Sequence, residues 1–64
     1  MHVNGQQITM KTEPPLSEFL KKEGYDAQRV AVEKNGNIVP KKCFDTEQLC
    51  DADKLEIVSF VGGG

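Results

Sequence analysis

Two Asn-Gly dipeptides, Asn4-Gly5 and Asn35-Gly36, constrain this 64-residue chain more than any other feature, because each reads as the two-residue turn of a β-hairpin. A type I′ turn needs positive φ at two consecutive residues, and Asn followed by Gly supplies both with little steric conflict. The first turn joins His2-Val3 to a second arm, Gln6 to Met10, in which Ile8 and Met10 take one face and Gln7 and Thr9 the other. The second joins the alternating segment Arg29 to Lys34 to Ile38-Val39, with Pro40 ending the ladder. Val30 and Val32 share one face of that strand, and Arg29, Ala31 and Glu33 share the other.

One helix is predicted between the hairpins. Pro14-Pro15 stops the second strand and places a proline at the first helical position, where its missing N–H loses no hydrogen bond. Leu16, Phe19 and Leu20 fall at i, i+3 and i+4 and form a single apolar stripe. Lys21 and Lys22 suit the negative end of the helix, and Gly24 supplies the stop. A helix of about two to three turns does not hold itself in water, so this stripe must lie on the sheet.

After Pro40, the segment Lys41 to Ala52 reads as a connection in which Phe44 and Leu49 plug the sheet edge. Asp51-Ala52-Asp53 is a turn feeding the strongest strand, Lys54 to Val61. With Leu55 and Ile57 inward, alternation turns Glu56, Val58 and Phe60 outward, leaving Val58 and Phe60 as an exposed apolar pair.

The order hairpin, helix, hairpin, connection, strand predicts an α+β chain: a mixed sheet of four to five strands covered by one main helix, the last strand parallel to the first. This is the β-grasp arrangement of ubiquitin-like proteins. Its expected core is Val3, Ile8, Leu16, Phe19, Leu20, Val30, Val32, Ile38, Leu49, Leu55 and Ile57. The expected organisation is one domain over residues 1–61 and a flexible glycine tail over residues 62–64.

Composition narrows the function classes. Eight basic residues face ten acidic ones without segregation, which speaks against a nucleic-acid surface. No apolar run approaches the roughly 20 residues of a membrane span, and the N-terminus lacks a charged-then-apolar signal segment, so a cytoplasmic location without membrane contact is expected. In that reducing compartment Cys43 and Cys50 are expected as free thiols acting as small buried or half-buried hydrophobes. His2 is the only histidine, so a zinc site lacks ligands. Asp51 and Asp53 read as turn residues, and no bound metal or cofactor is expected.

The chain holds no Ser/His/Asp set, no GxxxxGK loop and no carboxylate pair suited to a cleft rim, so it is not expected to be an enzyme. What remains is Gly62-Gly63-Gly64. Three extended residues reach about 10 Å. Lacking Cβ atoms, they can thread a channel too narrow for other residues and deliver the carboxylate of Gly64. A carboxylate is inert toward nucleophiles until activated. Transfer of an adenylyl group from ATP makes it a mixed anhydride, from which a sulfur nucleophile leaves a thiocarboxylate and an amine leaves an amide.

Two stretches carry a family resemblance. Val30-Ala31-Val32-Glu33-Lys34-Asn35-Gly36-Asn37-Ile38-Val39-Pro40 resembles the central hairpin of the sulfur carriers of bacterial thiamin biosynthesis. Asp53-Lys54-Leu55-Glu56-Ile57-Val58-Ser59-Phe60-Val61-Gly62-Gly63-Gly64 resembles their final strand and tail. The resemblance implies a β-grasp protein that serves as co-substrate. An E1-like adenylyltransferase would use ATP to convert the Gly64 carboxylate to an acyl adenylate, and sulfur drawn from cysteine through a desulfurase would replace it as a thiocarboxylate. Thiazole synthase would then take the sulfur for the thiazole phosphate of thiamin. On this matching Gly64 carries the acyl group, Gly62 and Gly63 deliver it, and Val58, Phe60 and Val61 lie in the region that docks on the enzymes. The chain departs from the family in having Ala52 where glycine is frequent, which implies a turn without positive φ. Alternatives with the same tail chemistry are a molybdopterin-synthase small subunit, a carrier for another sulfur pathway, and a ubiquitin-like modifier joined to lysine. A passive binding module using Val58 and Phe60 is a further alternative.

Overall fold

The computed structural model describes residues 1–60. Strands β1 (His2–Val3) and β2 (Gln6–Gln7) form the first hairpin, and helix α1 (Leu16–Lys22) follows. Strands β3 (Val30–Lys34) and β4 (Asn37–Ile38) form the second hairpin, a short 3-10 turn spans Lys41–Cys43, and β5 (Lys54–Ser59) closes the sheet. The strand order is β2-β1-β5-β3-β4. β5 runs parallel to β1 and antiparallel to β3, as expected for the β-grasp arrangement.

Both Asn-Gly turns adopt the predicted conformation. Asn4 and Gly5 have φ of 52° and 84°, and Asn35 and Gly36 have 53° and 86°. Each asparagine also reaches β5. Asn4 Oδ1 accepts from Ile57 N–H at 2.7 Å and its Nδ2 donates to Ile57 C=O at 3.2 Å, so the side-chain amide stands in for a peptide unit where β1 has ended. Asn35 Oδ1 accepts from Lys54 N–H at 2.9 Å, while its Nδ2 donates to the Asp53 carboxylate at 2.9 Å.

The helix buries Leu16, Phe19 and Leu20 against the sheet, as its spacing predicts. Its start differs from expectation. Pro15 is the extended residue before the helix, with φ −66° and ψ 157°, and Leu16 takes the first helical position. No side chain caps this end. Leu16 N–H instead donates to Glu47 C=O at 2.8 Å and Ser17 N–H to Phe44 C=O at 2.9 Å, so the following connection satisfies two of the free helical donors. At the other end Gly24 has φ +85°, Gly24 N–H donates to Lys21 C=O and Tyr25 N–H donates to Leu20 C=O. This is the Schellman closure, with Tyr25 packed against the core.

The core contains the expected Leu16, Phe19, Leu20, Val30, Val32, Leu49, Leu55 and Ile57, together with Met1, Val39 and Phe44. Three expectations are corrected. Ile38 is 75% exposed and Val39 is buried, because the two-residue turn sets Lys34 opposite Asn37 and Glu33 opposite Ile38. Ile38 therefore shares the outward face of Glu33, whereas Val39 bonds to Val32 and points inward. Val3 and Ile8 are only half-buried, since β1 and β2 are two residues each and lie toward the sheet edge. Cys43 is half-buried as expected, but Cys50 is exposed, on a surface turn held by its backbone rather than by its side chain. The first hairpin's second strand is also shorter than read, with regular pairing ending at Gln7 rather than at Met10; β5 is described as far as Ser59, and Val61, its expected end, lies outside the described residues.

The double role of Asn4 is open to test by chemical denaturation. Asn4→Gly keeps the left-handed conformation but loses the two side-chain bonds, and is expected to cost about 1–2 kcal/mol. Asn4→Ala adds backbone strain and should cost about 2–4 kcal/mol in total. Equal stability of the two variants would show that the turn conformation contributes nothing beyond the hydrogen bonds.

Candidate functional site

Helix α1 covers one face of the sheet, and no element among the described residues covers the other. The register of β5 decides what that bare face carries. Val58 lies opposite Ala31, Glu56 opposite Glu33, and Ile38 on β4 lies on the far side of Glu33. Phe60 N–H donates to Arg29 C=O at 2.7 Å, so the chain keeps its alternation one residue past β5. Val58 and Phe60 are 59% and 55% exposed. Alternation thus places both where the sequence predicts, on the bare face, with Ala31 of β3 opposite Val58.

Val61, expected in the docking region, and Gly62, Gly63 and Gly64, expected as the delivering and acyl-carrying residues, lie outside the described residues. β5 leads toward them from the middle of the sheet. Ile38 is the member of the bare face that sequence reading missed, having been assigned to the core. The signal was present: a two-residue turn combined with inward Val32 dictates an outward Ile38.

Asp51 and Asp53 have the turn roles expected of them. Asp53 is buried, and its carboxylate accepts from Cys50 N–H at 2.7 Å and from Asn35 Nδ2 at 2.9 Å, with Lys34 Nζ at 3.7 Å. Burial pushes its pKa up, but the bonds from Asn35 and Cys50 and the charge of Lys34 outweigh it and hold the carboxyl below its ordinary value. Lys34 is itself raised, chiefly by its bond to Glu47 Oε2 at 2.8 Å, against the lowering effect of burial and with help from Asp53. Asp51 accepts from the Met1 ammonium at 3.2 Å, which holds it low as well. Among the described residues no group of three His, Cys, Asp or Glu side chains could hold a metal ion. Ala52 needs no positive φ, as its identity implies. No helix of the described residues is long and apolar enough to cross a membrane.

A groove of about 810 Å³ lies on the helix side, between α1 and the segment after β2, with Met10, Lys11, Phe19 and Lys22 among its walls.

Comparison with known proteins decides the family. The family model described as "ThiS family" matches residues 1–64. The chain belongs to the ThiS family. The resemblance read from the central hairpin and final strand is borne out, and with it the β-grasp, sulfur-carrier assignment. The sulfur carrier protein ThiS of Bacillus subtilis is 34% identical over 65 residues, covering all of this chain and 98% of that protein. A thiazole synthase of Paramagnetospirillum magneticum is 40% identical over 62 residues, covering 97% of this chain; the chain spans only 19% of that enzyme's length. Among solved structures, the thiamine biosynthesis protein ThiS of Geobacter metallireducens superposes with a TM-score of 0.82 at 32% identity, covering 98% of this chain and 96% of that one.

The Asp53 cluster makes stability depend on pH in a defined direction. Because the folded carboxyl titrates below its ordinary value of 3.8, its contribution is complete above that value and is lost as pH falls through the lower folded one. Lys34 titrates above 10.5 when folded, so its contribution is lost only as pH rises through that raised value. Asp53→Asn is expected to flatten the loss of stability that urea denaturation measures as pH falls below 3.8. An unchanged acid limb would remove Asp53 from the set of groups that control it.

Proposed function

We propose that this chain is a sulfur carrier whose Gly64 carboxylate is adenylated and converted to a thiocarboxylate by partner enzymes, and which then gives its sulfur to thiazole synthase in thiamin biosynthesis. The observation that carries the reading is the match to the ThiS family through residue 64, joined to a fold in which the central strand β5 carries the uncovered apolar residue Val58 and precedes Gly62-Gly63-Gly64 in the sequence.

The chemistry proceeds in two displacements. A carboxylate oxygen of Gly64 attacks the α-phosphorus of ATP and pyrophosphate leaves, giving the acyl adenylate. A sulfur nucleophile at the oxidation level of sulfide then attacks the acyl carbon and AMP leaves, giving the thiocarboxylate. Both steps need a group that positions ATP and stabilises developing charge, and this chain supplies none, so an E1-like adenylyltransferase provides it. Cysteine, through a desulfurase, is the ultimate sulfur source: the desulfurase carries the sulfur as a persulfide, and a thiol reductant brings it to the sulfide level while itself becoming a disulfide. Gly62 and Gly63 give the tail its reach without side-chain bulk, and Val58, Phe60 and Val61 form the surface that seats the carrier on its enzymes. The domain over residues 1–61 acts as the handle by which the tail is moved. The relation to a thiazole synthase in which a similar stretch occupies a fifth of the length supports the pairing of carrier and synthase.

Intact mass measurement tests this directly. After incubation with ATP, an E1-like adenylyltransferase and a sulfur source, the protein is expected to exchange one oxygen for one sulfur, and deletion of Gly64 should abolish the change. Appearance of an isopeptide to lysine would favour a modifier instead, and turnover only with the large molybdopterin-synthase subunit would redirect the pathway. Gly63→Val should block activation while leaving the thermal midpoint unaltered; full activation of that variant would remove the requirement for a narrow tail.

A further inference from the structure

The bare face of the sheet carries one pairing that folding by itself disfavours. Glu33 on β3 and Glu56 on β5 stand directly opposite each other, and both are exposed. Opposed residues of an antiparallel pair have Cβ atoms about 4.5–5.5 Å apart, and like charges at that spacing repel. Neither carboxylate forms an ion pair among the described residues. Arg29, on the same face, pairs with Asp26, and Lys34 is turned to the other side and held by Glu47 and Asp53. Lys54, the preceding outward residue of β5, makes no bond to either glutamate.

Apolar surface adjoins the two carboxylates in two directions. Along the strands come Val58, Ala31 and then Phe60; across the sheet, beyond Glu33, comes Ile38. A protein that covers this apolar surface strips water from the carboxylates, and their remaining charge then requires a cation. A planar guanidinium matches two neighbouring carboxylates better than any other side chain.

Building on the carrier reading, we infer that the bare face docks a protein surface that seats an arginine, or a lysine, on the Glu33–Glu56 pair while its apolar side chains cover Val58, Phe60 and Ile38. Charge excludes the other occupants. Two copies meeting through this face around a two-fold axis would bring four carboxylates together, and anionic lipid or nucleic acid would meet the same repulsion. The pair therefore keeps free copies apart and admits a cationic partner.

The double variant E33Q/E56Q separates this role from a structural one, because removing the repulsion leaves folding intact or improves it. The probes are purified E1-like adenylyltransferase and thiazole synthase of the thiamin pathway, titrated by calorimetry at low and high ionic strength. The variant is expected to bind at least one of them on the order of tenfold more weakly at low ionic strength. It should also show a flatter salt dependence and a thermal midpoint at or above that of the parent. Parent-like affinity with parent-like salt dependence overturns the inference, and so does a binding loss accompanied by a lowered midpoint. If the parent binds and acquires sulfur while the variant is indistinguishable from it, this inference alone falls. If the parent binds neither enzyme and gains no sulfur, the carrier reading falls and takes the inference with it.

Discussion

The fold depends on how β5 is held. As the central strand it joins the first hairpin to the second, in parallel with β1 and antiparallel with β3. Its pairing with β1 covers only two residues, too few to secure a parallel ladder. The side chain of Asn4 extends that ladder by bonding both backbone groups of Ile57, and Asn35 secures the start of the strand through Lys54 N–H. A residue chosen for its turn conformation thus also completes the sheet.

The same economy appears around the helix. Seven residues are too few to be stable alone, and no side chain caps the start. The connection between β4 and β5 supplies what is missing: carbonyls of Phe44 and Glu47 accept the first helical N–H groups, while Phe44 and Leu49 bury beneath them. Lys34 ties that connection to the sheet through Glu47, Gln48 and Asp53. A 64-residue chain buries a small fraction of its surface compared with larger domains, so each connection must contribute to the core as well as span it.

On the proposed reading the chemistry belongs to partner enzymes. The titratable groups with shifted pKa values serve the turns and the connection, and none faces a catalytic cleft. The ThiS-family chain places β5 at the centre of the sheet and, on the bare face, sets exposed apolar residues beside the opposed Glu33 and Glu56.

Much of this was legible in the residues. Asn-Gly at two places specified both hairpins, the Leu16, Phe19 and Leu20 spacing specified the covered helix, and alternation through Lys54 to Phe60 specified an outward Val58 and Phe60. The family was read from two stretches of sequence, because local backbone preference and alternation are written in neighbouring residues. Tertiary structure alone decided the rest. Met1 entered the core because β1 was laid beside β5. The cap on the helix came from residues some thirty positions away, and Glu33 met Glu56 only when two strands distant in sequence were aligned. Each of these depends on which distant segment lies opposite, and a one-residue shift in that pairing reverses the faces.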